Sequence, residues 1–96
     1  MENSKRTEDE LKIWLMNRLV CELPVLRARL GVSQADIARK IGISRQTYNS
    51  IETGKRKMNW TIFVALIAVF RNNEQTRKMI KMIDSFEDNM NRVIEF

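Results

Sequence analysis

The chain has 96 residues, 44% hydrophobic and 30% charged, with three glycines and one proline, so it forms one domain with few long loops. It contains no histidine and a single cysteine, Cys21, which excludes His-based zinc and acid–base chemistry and any internal disulfide. The net charge is +5. Its distribution says more than its size: residues 24–57 hold Arg27, Arg29, Arg39, Lys40, Arg45, Lys55, Arg56 and Lys57 against Asp36 and Glu52, while the flanking thirds are near neutral. A basic excess confined to one third of a chain is the electrostatic footprint of a protein that meets a polyanion.

The first ten residues are polar and charged, unlike a signal peptide. From Thr7 to about Glu22, Leu11, Leu15, Leu19 and Leu23 recur every fourth residue, with Ile13, Trp14, Met16 and Val20 beside them. That spacing predicts an amphipathic helix. Thr7 followed by Glu10 is a capping-box pair at its start. Pro24 interrupts the pattern and predicts a new helix from Pro24 to Leu30, with one long kinked helix as the alternative.

Gly31 ends that segment. Ser33 caps a helix over Gln34–Ile41, Gly42 stops it, and Ser44 caps another from Arg45 to about Glu52, which Thr53-Gly54 terminates. The basic loop Lys55-Arg56-Lys57 follows. A fourth helix is expected from Asn59 or Thr61 to Phe70. Its run Ile62–Phe70 is nine apolar residues, far short of the roughly 20 that span a bilayer, so a helix covered on more than one side is expected. Trp60 reads as a core or interface anchor. After Arg71-Asn72-Asn73, a last helix is predicted from Glu74 to Glu95. Met79, Ile83, Phe86, Met90 and Val93 trace a seam along it, broadened by Ile80 and Ile94. Two heptads are short for a coiled coil; the seam marks this helix, with the N-terminal one, as a candidate dimerisation element. No segment alternates as a strand does, so the fold class is all-α.

Residues 34–52 carry the chemistry. Ile37, Ala38 and Ile41 share one face of the first short helix, Tyr48 and Ile51 one face of the second, and Gly42-Ile43 joins them. This is the pattern of two helices packed across a tight, glycine-containing turn. At 100° per residue, Arg45, Gln46, Asn49 and Ser50 point away from Tyr48 and Ile51, with Thr47 at the flank. Arg pairs bidentately with guanine and Gln or Asn with adenine, so the outer face suits the edges of bases in the major groove.

The segment SQADIARKIGISRQTYNSIETGKRK, within Leu23–Phe70, resembles the Cro/repressor (XRE-type) helix-turn-helix family. The resemblance rests on Ser33-Gln34, Ala38, Gly42, the apolar residues at 37, 41, 43, 48 and 51, and Glu52-x-Gly54-Lys55. It implies a lambda-repressor-like all-α domain over residues 23–72, flanked by an added N-terminal helix in 1–22 and an extended C-terminal helix in 73–96. It further implies a DNA-binding transcriptional regulator, a homodimeric repressor in the cytoplasm, on double-stranded DNA. Arg45, Gln46, Thr47, Asn49 and Ser50 would meet bases. Gln34, Ser44, Lys55, Arg56 and Lys57 would meet phosphates, Gln34 also bracing Gln46, with Arg39 and Lys40 as weaker phosphate candidates. Glu52 would pair with Arg27 as a structural ion pair. No cofactor, metal or membrane partner is expected, and no catalytic constellation is present, so an enzyme is not expected. The amphipathic ends also leave room for an antitoxin that masks a toxin and represses its own promoter, or for an adaptor that binds protein instead.

Overall fold

A computed structural model describes residues 6–96; Met1–Lys5, counted above with the N-terminal segment, lie outside the described residues. Six α-helices follow one another: α1 Glu8–Leu30, α2 Gln34–Ile41, α3 Arg45–Glu52, α4 Trp60–Arg71, α5 Glu74–Lys81 and α6 Phe86–Ile94. Among the described residues there is no β-strand.

α1 corrects the expected break at Pro24, because one helix runs through it. Proline removes a backbone donor and crowds the preceding turn, a cost of about 3 kcal/mol inside a helix. Two features offset it. Pro24 lies on the exposed face, and the leucine stripe keeps its phase across it: Leu11, Leu15, Leu19, Leu23 and Leu26 are all buried. The Thr7–Glu10 capping box forms in both directions, at 3.0 and 3.1 Å. Glu8, Asp9 and Glu10 lie in the first turn and Arg27 and Arg29 in the last, so charge and helix dipole agree at both ends.

α2 and α3 start and stop at the expected residues. Ser33 and Asp36 form a reciprocal capping box, and Ser44 caps α3 through the Thr47 amide. Between them, Gly42 has φ 84° and ψ 29°. The Ile43 amide donates to the Ala38 carbonyl at 3.0 Å, and Gly42 itself donates to the carbonyls of Ala38 and Arg39, which closes the end of α2. A Cβ at Gly42 would meet nothing within 4 Å, so the backbone angle alone demands glycine. Gly42→Ala is expected to cost about 1–2 kcal/mol in urea unfolding, with Asn tolerated better. Equal midpoints for Gly and Ala would contradict this.

The core joins all six helices. Tyr48 and Ile51 from α3 and Ile37 and Ala38 from α2 lie buried with the α1 leucines, Phe63, Leu66 and Phe70. Trp60 stacks on Phe63 at 4.7 Å, and Phe86 reaches both Phe63 (6.1 Å) and Trp14 (6.3 Å). Lys12 Nζ sits 5.2 Å from the Trp60 ring centroid, a cation–π contact from α1 to α4. The apolar run of α4 buries Phe63, Leu66, Ile67 and Phe70, but Val64 and Ala68 face solvent, so it is covered less completely than expected.

The predicted last helix is two helices. α5 ends at Lys81, and Ser85 takes the left-handed conformation with φ 67° before α6 begins. The seam is therefore bent: α5 and α6 pack on each other and on α1, and Ile80, Phe86, Met90 and Val93 are spent inside the chain's own core. Arg71 on α4 secures the fold-back by donating to Glu87 Oε1 of α6 at 2.7 Å, while Arg77 donates to the Arg71 carbonyl at 3.0 Å. The Thr76 hydroxyl, fully buried, donates to the Phe70 carbonyl near the end of α4.

Candidate nucleic-acid interface

α3 is held from one side. Tyr48 and Ile51 are fully buried, whereas Arg45 and Gln46 are exposed and Thr47, Asn49 and Ser50 are half-buried. The side chains of Arg45 and Gln46 make no hydrogen bond or ion pair among the described residues, so their side-chain donors are free. Ser44 is exposed, but its hydroxyl accepts from the Thr47 amide at 3.0 Å and donates to Thr47 Oγ1 at 2.9 Å. Capping uses its oxygen, and the Thr47 hydroxyl takes its hydrogen.

The basic loop is tied to α3 through its backbone. The amides of Lys55 and Arg56 both donate to the Ser50 carbonyl, at 2.9 and 3.0 Å. Gly54, at φ 83°, lets the chain turn there. Lys55, Arg56 and Lys57 are all exposed just past the helix end. On α2, Lys40 is exposed, and Arg39 makes a solvent-exposed pair with Asp36 at 3.5 Å. The backbone and hydroxyl of Ser33, with Arg39 nearby, hold the Asp36 carboxyl below its ordinary value.

Behind the exposed face lies a polar chain of four side chains. Arg27 donates from Nε and Nη2 to the two oxygens of Glu52, each at 3.3 Å, and from Nη1 to the Val32 carbonyl at 3.1 Å. This is the fork-on-carboxylate geometry in which guanidinium and carboxylate bind most strongly. The Glu52 side chain is only 5% exposed and that of Arg27 21%. Gln34 Nε2 donates to Glu52 Oε1 at 2.8 Å, and Asn49 Nδ2 donates to Gln34 Oε1 at 3.1 Å. The Tyr48 hydroxyl is buried beside this group with no hydrogen-bond partner. Burial, and then the Glu52 charge, push its pKa far up, with Arg27 opposing.

One expectation is extended here and another is overturned. Arg27 and Glu52 do meet, in an ion pair that two further side chains extend. Gln34 does not brace Gln46: its amide is taken up by Glu52 and Asn49. The reason is position. Asn49 lies one turn beyond Gln46 on α3 and one turn before Glu52, so Gln34 bridges those two.

A family model described as a helix-turn-helix domain matches residues 18–77, from inside α1 to inside α5, and includes every residue of the candidate interface. Comparison with curated proteins and with solved structures returned no match. Among the described residues, no helix is long and apolar enough to cross a membrane. With well over half of its 96 residues matched, the chain belongs to the helix-turn-helix domain family.

Proposed function

We propose that the chain is a sequence-specific DNA-binding transcriptional regulator of the cytoplasm, a homodimeric repressor that seats α3 in the major groove. The observation that supports this most is the state of Arg45 and Gln46. They are exposed and unpaired at the N-terminal end of a helix whose opposite side is locked in the core, next to three exposed basic residues. Helix-turn-helix proteins present that end of the second helix to base edges. Affinity then comes from Lys55, Arg56 and Lys57 on phosphates, and sequence choice from Arg45, Gln46 and their neighbours on α3.

Ser44 contributes by capping, and its flanking backbone amides are the groups left for a phosphate. Gln34 retains one amide hydrogen beyond its bond to Glu52, enough for a single phosphate contact.

Selection from random duplex DNA with the purified protein tests this. Enriched sequences are expected to hold two half-sites related by a two-fold axis and spaced by about 10 bp or a multiple of it. Binding without enrichment of any sequence, at every salt concentration tried, would remove the sequence-reading role.

A further inference from the structure

The four-membered chain Arg27–Glu52–Gln34–Asn49 has a direction, and that direction fixes what Asn49 shows to the outside. A carboxylate paired with a guanidinium only accepts hydrogen bonds. Gln34 must therefore turn its NH2 toward Glu52, as it does at 2.8 Å. Its amide oxygen then faces Asn49 and accepts only. Asn49 must answer with its own NH2, at 3.1 Å. The Asn49 oxygen is left over. It accepts no hydrogen bond among the described residues, yet it is not among the buried unpaired atoms, so it reaches solvent on the α3 face. Amide oxygen and nitrogen are easily exchanged in an isolated Asn or Gln. Here the charge of Glu52 forbids the exchange two residues down the relay.

We propose that Glu52, through Gln34, sets Asn49 as an outward acceptor and thereby makes it select adenine. This rests on the reading of α3 as the helix that enters the major groove. An outward oxygen cannot bond to a phosphate, which also only accepts. It suits a base whose major-groove edge offers a donor: the N6 amino group of adenine or the N4 amino group of cytosine. Adenine wins, because the second Asn49 amide hydrogen remains free for adenine N7, and cytosine has no acceptor there. Guanine and thymine present acceptors to that oxygen and are refused. Gln34 and Glu52 are thus positioning residues: they touch no base and still decide which base is read.

Two measurements test this, one without DNA. In the free protein, one Asn49 side-chain amide hydrogen is expected to exchange roughly tenfold more slowly than in Gln34→Met, which keeps the Arg27–Glu52 pair but ends the relay. Equal exchange overturns the relay. The second measurement is the base preference at each position, from duplex selection with wild type, Asn49→Ala, Gln34→Met and Gln34→Lys. One position is expected to favour adenine by roughly tenfold and to lose that preference in Asn49→Ala. In Gln34→Met the same position broadens while the others hold. Lysine can only donate, so in Gln34→Lys the Asn49 oxygen turns inward, its NH2 turns outward, and the preference moves to guanine. A wild-type position that depends on Asn49 and favours guanine or thymine overturns the proposal. So does a preference unchanged in Gln34→Lys, or an Asn49→Ala profile identical to wild type. Failure to select any sequence overturns the reading of α3 itself, and the exchange comparison still decides the relay.

Discussion

Replacing Glu52 with alanine is expected to lower stability by about 3–5 kcal/mol, since it breaks a pair that is largely out of water. The Glu52 side chain is 5% exposed and holds three hydrogen bonds, two from Arg27 and one from Gln34. Alanine leaves the Arg27 guanidinium, 21% exposed, with the Val32 carbonyl as its remaining partner among the described residues. It also leaves the Gln34 amide unanchored. The partial exposure of Arg27 places the effect toward the lower end of that range. For a domain of this size each kcal/mol moves the midpoint by about 4–8 °C, so a fall of roughly 12–24 °C is expected in thermal unfolding followed by circular dichroism. Duplex affinity, measured well below both midpoints, changes less. Glu52→Gln, which keeps an acceptor for Gln34, lies between the two. Replacing both Arg27 and Glu52 with methionine recovers much of the loss, because no charge is then left unpaired. Equal melting temperatures for wild type and Glu52→Ala would show that the pair carries no stability.

Arg45→Ala and Lys55→Ala are expected to weaken DNA binding in different ways. Arg45 leads the exposed face of α3 with all its donors free, so its loss costs about 1–3 kcal/mol on the preferred site and relaxes one base position. That is roughly 5- to 150-fold in Kd. On a duplex already altered at that position, Arg45→Ala costs little. Lys55 stands outside α3, on a loop whose backbone is pinned to Ser50. Its loss weakens every duplex alike and reduces the slope of log K against log salt by about 1, the signature of one phosphate contact. Titrations of both variants against preferred, singly altered and unrelated duplexes, at several salt concentrations, separate the two. Equal losses on every sequence would mean that Arg45 and Lys55 share one role.

Where local chemistry decided the structure, the sequence was readable. Ser33, Gly42 and Ser44 bound α2 and α3 because caps and left-handed glycines act within a few residues, and the predicted limits of both helices match those observed. The exposure of Arg45 and Gln46 followed from helical periodicity alone, whereas Asn49 and Ser50 are half-buried and Asn49 is bonded to Gln34. The misreadings share a cause: in each, tertiary packing overruled a local signal. Pro24 argues locally for a break, yet a leucine stripe in constant phase carries α1 through it. The 4, 3, 4, 3 spacing from Met79 to Val93 argues for one helix. Two helices satisfy it as well when both fold onto the same core. Asp84-Ser85 ahead of Phe86, with Glu87 and Asp88 in the first turn that follows, was the available hint of a new helix start. The partner of Gln34 was beyond periodicity, since choosing between Gln46 and Asn49 requires the distance between two packed helices.

The fold-back of α6 onto α1 has a kinetic corollary. Trp14 finds Phe86 only after some 70 intervening residues have been placed, and closing so wide a loop is entropically slow compared with docking α2 on α3. The side of α1 that α6 covers therefore stays open until Phe86 has been made, while Trp60 can already dock beside Lys12 and the turn that carries Gly42 is free to form. A nascent chain stalled short of Phe86 would present α3 from an unfinished body, with apolar surface still open on α1, a state prone to aggregate.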